Sequence, residues 1–134
     1  QDLLKPMTVT LVKMLARQFR IARKEPADGE KTERMVRFMD EHLDHVTLAM
    51  LSDAFGYHPA YISSQLSAKT GRTFSQILLA QRMERAVFLM RNTDLSIEEL
   101  TPMVGYADKS NFHKAFREFY GKTPRQFVQR DGLD

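Results

Sequence analysis

Leu51-Ser-Asp-Ala-Phe-Gly-Tyr57 returns about 49 residues later as Leu100-Thr-Pro-Met-Val-Gly-Tyr106. Each copy leads into a short helical segment that ends at a second glycine. Tyr61-Ile62, Leu66 and Thr70-Gly71-Arg72-Thr73 follow the first copy. Asn111-Phe112, Phe116 and Tyr120-Gly121-Lys122-Thr123 follow the second, after a spacing longer by a single residue. The slip falls in the turn, where insertions are tolerated. Two copies are too few for a solenoid, which needs three or more stacked units. They suit two similar helical modules joined rigidly, an arrangement fitted to a periodic target.

The surrounding composition allows this and excludes much else. With 134 residues, 43% of them hydrophobic, the chain has material for one or two small cores of a soluble globular protein. The absence of cysteine removes disulfide scaffolds, thiolate metal sites and cysteine nucleophiles. No apolar run approaches the ~20 residues that span a bilayer, and no signal-peptide pattern opens the chain. The cysteine-free composition fits a reducing cytosol, and a cytoplasmic protein is expected. The start at Gln1 instead of methionine points to a fragment of a longer chain. Net charge is only +3, but its distribution is uneven. Lys5, Lys13, Arg17, Arg20, Arg23 and Lys24 crowd the beginning, the stretch from Asp28 to Asp44 is acid-rich, and basic residues return from Arg82 onward.

Helical periodicity runs through the chain, and no strand pattern or low-complexity tract interrupts it. Val12, Leu15, Phe19 and Ala22 predict an amphipathic helix over 8–24. Pro26-Ala-Asp-Gly29 then reads as a break, since proline fixes φ and glycine frees it. A second helix is expected from about Glu30 to Leu43, with Met35, Val36, Met39 and Leu43 on one face. Thr47 is placed to cap a short helix that Gly56 closes. His58 or Pro59 opens the next, which turns Ile62 and Leu66 inward and ends at Gly71. One long helix follows from Thr73 to Arg91. Ser96-Ile-Glu-Glu99 has the spacing of a capping box, in which hydroxyl and carboxylate satisfy two first-turn donors reciprocally. Pro102 predicts a kink or a tightened last turn in the helix from Ile97 to Val104. Asp108 caps a helix over Lys109 to Tyr120, with Phe112, Ala115, Phe116 and Phe119 as its expected inward stripe. A last short helix begins at Thr123-Pro124.

The predicted fold is all-α: two helix-turn-helix modules joined by a long linker helix and preceded by an amphipathic N-terminal helix. The expected divisions are 1–29 for the N-terminal helix and its linker, 30–72 and 94–134 for the modules, and 73–93 for the linker helix. In a helix-turn-helix the first helix packs across the second and braces it. The outward face of the second can then enter a major groove about 12 Å wide and present side chains to base edges.

Over roughly residues 30–130 the chain resembles the AraC/XylS family of bacterial transcription regulators. Ile97-Glu-Glu-Leu100, Val104-Gly-Tyr-Ala-Asp-Lys-Ser-Asn-Phe112, Phe116-Arg117 and Gly121-Lys-Thr-Pro124 carry the resemblance, with Arg82 and Ala86 in the long helix. Gly56-Tyr-His-Pro-Ala-Tyr-Ile62 through Gly71 is a looser match. The resemblance implies sequence-specific binding of double-stranded DNA, with the recognition helices in successive major grooves about one helical turn, ~34 Å, apart. It places base contacts on Ala60, Ser63 and Ser64 in the first module and on Lys109, Ser110, His113 and Lys114 in the second. Ser67, Arg117, Lys122 and Arg125 are the expected phosphate partners, together with the helix starts at Thr47, Ser96 and Thr123.

It also implies an effector-binding or dimerisation domain preceding these modules, and RNA polymerase as a partner. The stripe within 8–24 is read as a linker or homodimer surface in preference to a DNA contact. Where the family usually carries basic or amide side chains on its first recognition helix, this chain offers Ala60, Ser63, Ser64, Ser67 and Ala68. Small hydroxyls reach bases only by close approach or through water, so the second module is expected to dominate affinity.

The remaining tempting residues have plainer explanations. His42 and His45 lie three apart without a carboxylate or thiolate set to complete a metal site, and they read as surface histidines. Glu98-Glu99 and Asp40-Glu41 suit capping and solvation, and the methionines suit adaptable packing. No nucleophile, base and orienter recur at a catalytic spacing, so no enzymatic activity, metal or cofactor is expected. The alternative reading is a helical adaptor that keeps the fold and binds a protein through the first recognition helix.

Overall fold

The computed structural model describes residues 28–130. The helix expected over 8–24, with its homodimer surface, lies outside the described residues. Within them the order is α1 (Asp28–Glu41), α2 (Leu48–Phe55), α3 (Pro59–Thr70), α4 (Phe74–Asn92), α5 (Ile97–Met103), α6 (Lys109–Tyr120) and α7 (Pro124–Arg130). α2–α3 and α5–α6 are the two helix-turn-helix units, and α4 joins them.

Side-chain caps fix most of these boundaries. Thr47 accepts from the Met50 amide, His58 from Ala60 with Pro59 following, and Asp108 from Asn111. Reciprocal capping boxes open three helices: Thr73 with Gln76, Ser96 with Glu99 and Thr123 with Gln126. The repeat therefore extends beyond the exit glycines, because Gly71-Arg-Thr-Phe-Ser-Gln76 and Gly121-Lys-Thr-Pro-Arg-Gln126 end their modules the same way. α1 takes in Asp28 and Gly29, where a break was expected, so the division at 29 falls inside its first turn. First-turn amides have no in-helix partner, which makes such starts weakly specified by sequence. α1 also ends at Glu41, and Leu43 lies in the turn beyond it.

Pro102 tightens the end of α5 as expected. The Gly105 amide donates to the Pro102 carbonyl at 3.0 Å, and the Tyr106 amide closes back onto Thr101 at 3.1 Å. Gly105 at φ +94° then turns the chain toward α6.

Two cores form. Met35, Met39, Val46, Leu51, Ile62, Leu66 and Ile77 make the first. Leu43, Met83, Ala86, Leu100, Val104, Phe112 and Phe116 make the second. Leu43 comes from the turn after α1, so the first module donates an apolar side chain to the second. Phe119 corrects the expected stripe of α6: it is 39% exposed. Tyr120 takes the inward place instead, with its ring 4.7 Å from Phe116 and 4.6 Å from Phe127. In the last turn of α6 the core and α7 lie on the Tyr120 side, which leaves Phe119 outward.

Polar contacts from α4 lock the modules together. Arg82 Nε donates to the Leu43 carbonyl at 2.7 Å while its guanidinium lies 5.5 Å from the Tyr106 ring centre. Arg85 pairs with Asp40 at 3.2 Å, and Gln81 Nε2 donates to the Val36 carbonyl at 3.0 Å. Gly105 is what admits Arg82: a Cβ there would lie 2.6 Å from Arg82 Cζ. At Gly56, φ +74°, a Cβ would meet nothing within 4 Å. Gly56→Ala is expected to cost the αL penalty alone, about 1–2 kcal/mol. Gly105→Ala adds displacement of a guanidinium hydrogen-bonded to a carbonyl and is expected to cost about 2–4 kcal/mol. Urea unfolding of both variants checks this, and equal losses would contradict it.

Candidate nucleic-acid interface

α6 is held from behind by two fully buried rings, Phe112 and Phe116. Helical geometry then turns Ser110, Lys114 and Arg117 away from the core, and all three are exposed. His113 is half-buried at the edge of this face. Lys114 and Arg117 have no side-chain partner among the described residues, which leaves both charges available to an anionic ligand. Asp108 fixes the start of the helix by accepting from both the amide and the side chain of Asn111, at 2.8 and 3.3 Å.

Lys109 is placed differently from the other expected base contacts. Its Nζ donates to Glu98 Oε2 at 2.8 Å, tying the first residue of α6 to the first turn of α5. The hydrogen bond from Lys109 holds the Glu98 carboxyl below its usual range, helped by a backbone hydrogen bond and the Lys109 charge. Glu98, Lys109, His113 and Arg125 rim a groove of about 610 Å³ whose apolar residues include Met90, Leu95, Ile97 and Val128.

On α3, Ala60, Ser64 and Ser67 are exposed and Ser63 is half-buried. The structure thus collects these expected contacts on a neutral, small-residue face. Positive charge reaches the flank of that helix from α1. Lys31 Nζ donates to the Tyr61 hydroxyl at 3.1 Å and lies 5.0 Å from the Tyr57 ring centre. The Tyr61 hydrogen bond raises the Lys31 pKa and keeps the ammonium charged. Tyr61 is itself anchored by Gln65 Nε2 at 3.0 Å.

The helix starts divide. The amides of Ser96 and Thr123 are engaged by Glu99 and Gln126, at 2.8 and 3.0 Å. Ser96 also heads an acidic first turn, Glu98-Glu99, which opposes an approaching phosphate. α2, after Thr47, has no acid in its first turn. Lys122 lies 5.6 Å from the Phe127 ring centre, and Arg125 is exposed. Arg72 was not among the expected phosphate partners, yet it occupies the matching place in the first module. It stands immediately before the Thr73 cap as Lys122 stands before Thr123, a correspondence already present in the repeat.

Among the described residues, no group of three or more His, Cys, Asp or Glu could hold a metal ion. The His42 ring lies tilted against Phe38 with centroids 4.3 Å apart, and His45 Nδ1 pairs with Asp44 at 2.8 Å.

A braced pair of helices, repeated and presenting an outward polar face, defines a helix-turn-helix protein, and comparison with known proteins agrees. The family model described as a helix-turn-helix domain matches residues 51–130. The HTH-type transcriptional activator CfaD of Escherichia coli is 33% identical over 81 residues, covering 60% of this chain and 30% of CfaD. Among solved structures, the C-terminal domain of AraT, a response regulator from Geobacillus stearothermophilus, superposes with a TM-score of 0.71 at 27% identity. That match covers 81% of this chain and 88% of the AraT domain. The C-terminal domain of the two-component response regulator yesN from Fusobacterium nucleatum gives 0.64 at 30% identity, covering 71% of this chain and 95% of that one. The chain belongs to the AraC-type helix-turn-helix family of DNA-binding transcription regulators. It spans about 30% of the length of CfaD, and of the DNA-binding dual transcriptional regulator Rns of Escherichia coli.

The Lys109–Glu98 pair gives a direct check on this geometry. A carboxyl whose folded pKa is depressed contributes stability above its ordinary pKa, and the contribution is lost as pH falls through the depressed value. In an NMR titration the Glu98 carboxyl is expected below the ordinary glutamate value. In Lys109→Met it is expected to move back up. An unchanged midpoint in the variant would show that the pair does not form in solution.

Proposed function

We propose that this chain binds double-stranded DNA sequence-specifically as the reading part of a bacterial transcription regulator, its recognition helices α3 and α6 entering successive major grooves. The observation that carries this reading is the exposed row Ser110, Lys114 and Arg117, with His113 at its edge, on a helix buried behind by Phe112 and Phe116. Lys114 donates to guanine O6 or N7, and His113 donates or accepts according to its tautomer. Ser110 adds a short hydroxyl contact. Arg117, Lys122 and Arg125 pair with phosphates, which positions the domain without specifying sequence. Arg72 does the same for the first module. Ala60, Ser63 and Ser64 read thymine methyls, groove shape and bridging water, so the second module supplies most of the affinity. Lys109 has a different part, developed below.

The relatives are about three times as long as the stretch they share with this chain. That supports a preceding effector-binding or dimerisation domain, with residues 8–24 as the linker or homodimer surface, and RNA polymerase as the partner through which binding alters transcription. A cytoplasmic place on the nucleoid follows from the same reading, and the chain has no enzymatic role in it.

Duplex binding should weaken steeply with salt, by a slope of about −0.9 in log K against log salt for each phosphate neutralised. A slope near zero would sink the phosphate contacts and favour a protein-binding adaptor. Lys114→Ala should relax sequence preference, at about 1–3 kcal/mol for a guanine-bearing site, whereas Arg117→Ala should weaken all sequences alike. Equal losses on specific and random duplex for both variants would contradict that division.

A further inference from the structure

The second module carries a carboxylate among its cations. Glu98 opens α5, and its Oε2 accepts from Lys109 Nζ at 2.8 Å across the turn between bracing and recognition helices. Both side chains remain substantially exposed, 66% for Glu98 and 48% for Lys109, so the pair is open to solvent and to an approaching ligand. Glu98 also feels the His113 side chain and lines the same groove as Lys109, His113 and Arg125. The capping box is closed by Glu99 as the partner of Ser96, so α5 keeps its cap when Glu98 is replaced, and Glu98 adds only its backbone hydrogen bond and first-turn charge.

We propose that Glu98 is a specificity-determining residue: it restrains Lys109, holding that ammonium off the phosphates of double-stranded DNA. The inference rests on the DNA-binding reading above and reassigns one residue within it. A free lysine at the first position of a recognition helix adds attraction to every duplex, whatever its sequence. Paired to Glu98, Lys109 adds little net charge, and discrimination falls to Ser110, His113 and Lys114. An exposed ion pair contributes about 0.2–1 kcal/mol, so the restraint is weak enough to be measured by its release.

The test measures binding of the full 134-residue chain to its selected site and to random-sequence duplex over a salt series. Variants are Glu98→Gln, Lys109→Met and the double substitution, with helix content checked by circular dichroism. Glu98→Gln should bind random duplex about 1.4- to 5-fold tighter at low salt, the fold-change equivalent of that pair energy. Its salt slope should steepen by about 0.9 and its preference for the selected site should fall. In the Lys109→Met background the Glu98→Gln gain should largely vanish. An equal gain in both backgrounds would overturn the restraint in favour of a general charge effect. A loss confined to the selected site would overturn it by making Glu98 a reader of cytosine N4. Duplex binding by the unsubstituted chain with no effect of Glu98→Gln overturns only this inference, whereas absence of any duplex binding overturns the DNA reading as well.

Discussion

Arg82 holds the two halves of this protein in one arrangement. Its Nε bonds the Leu43 carbonyl at 2.7 Å, and its guanidinium lies against Gly105 and the Tyr106 ring, the turn of the second module. A charge-assisted bond to the Leu43 carbonyl beyond the end of α1 and contact with the turn at Gly105 leave little room for the modules to rotate. The glycine is required twice over there, for its φ of +94° and for the space its missing Cβ leaves. Arg85–Asp40 and Gln81–Val36 repeat the link from α4 to α1, and Leu43 enters the second core. The long helix is thus a welded spacer, and spacing is what a protein reading a periodic polymer must fix.

On that frame the duplicated scaffold has diverged in charge. Both modules keep the inward pair, Ile62 with Leu66 and Phe112 with Phe116, and both end at an αL glycine followed by a basic residue and a threonine cap. Their outward faces differ. α3 shows alanine and serine and has Lys31 held beside it by Tyr61, while α6 shows Lys114 and Arg117. A neutral face makes its energy from close fit, and a charged face makes it from phosphates and guanine edges. Glu98 moderates the charged face by occupying one of its lysines.

Much of this was legible in the sequence because it depends on local chemistry. The caps at Thr47, Ser96 and Asp108, the helix start at His58 or Pro59 and the glycines at 56, 71, 105 and 121 act within a few residues of themselves, and periodicity located Ile62, Leu66, Phe112 and Phe116 in the core; the Thr73 cap emerged only in the structure. What stayed hidden was set by neighbours distant in the chain. Phe119 has the spacing of its buried partners, yet in that turn α7 and the core meet Tyr120 instead. Lys109 was expected among the base contacts, and its ion pair with Glu98, 11 residues earlier, was not visible in the sequence. Arg82 was visible as a matching residue, whereas its bond to Leu43 across 39 residues was not. Arg72 stands opposite Lys122 in the repeat, a correspondence the sequence alone already carries.

Both recognition helices should meet DNA at one fixed separation. This is tested most directly by selecting the bound site from a random duplex pool and inserting base pairs between the segments protected by each module. A rigid α4 predicts two protected segments about one helical turn apart. Inserting about half a turn should reduce binding to that of the second module alone. Retention of full affinity and both protected segments at every spacing would contradict the account, because the modules would then be reading DNA independently.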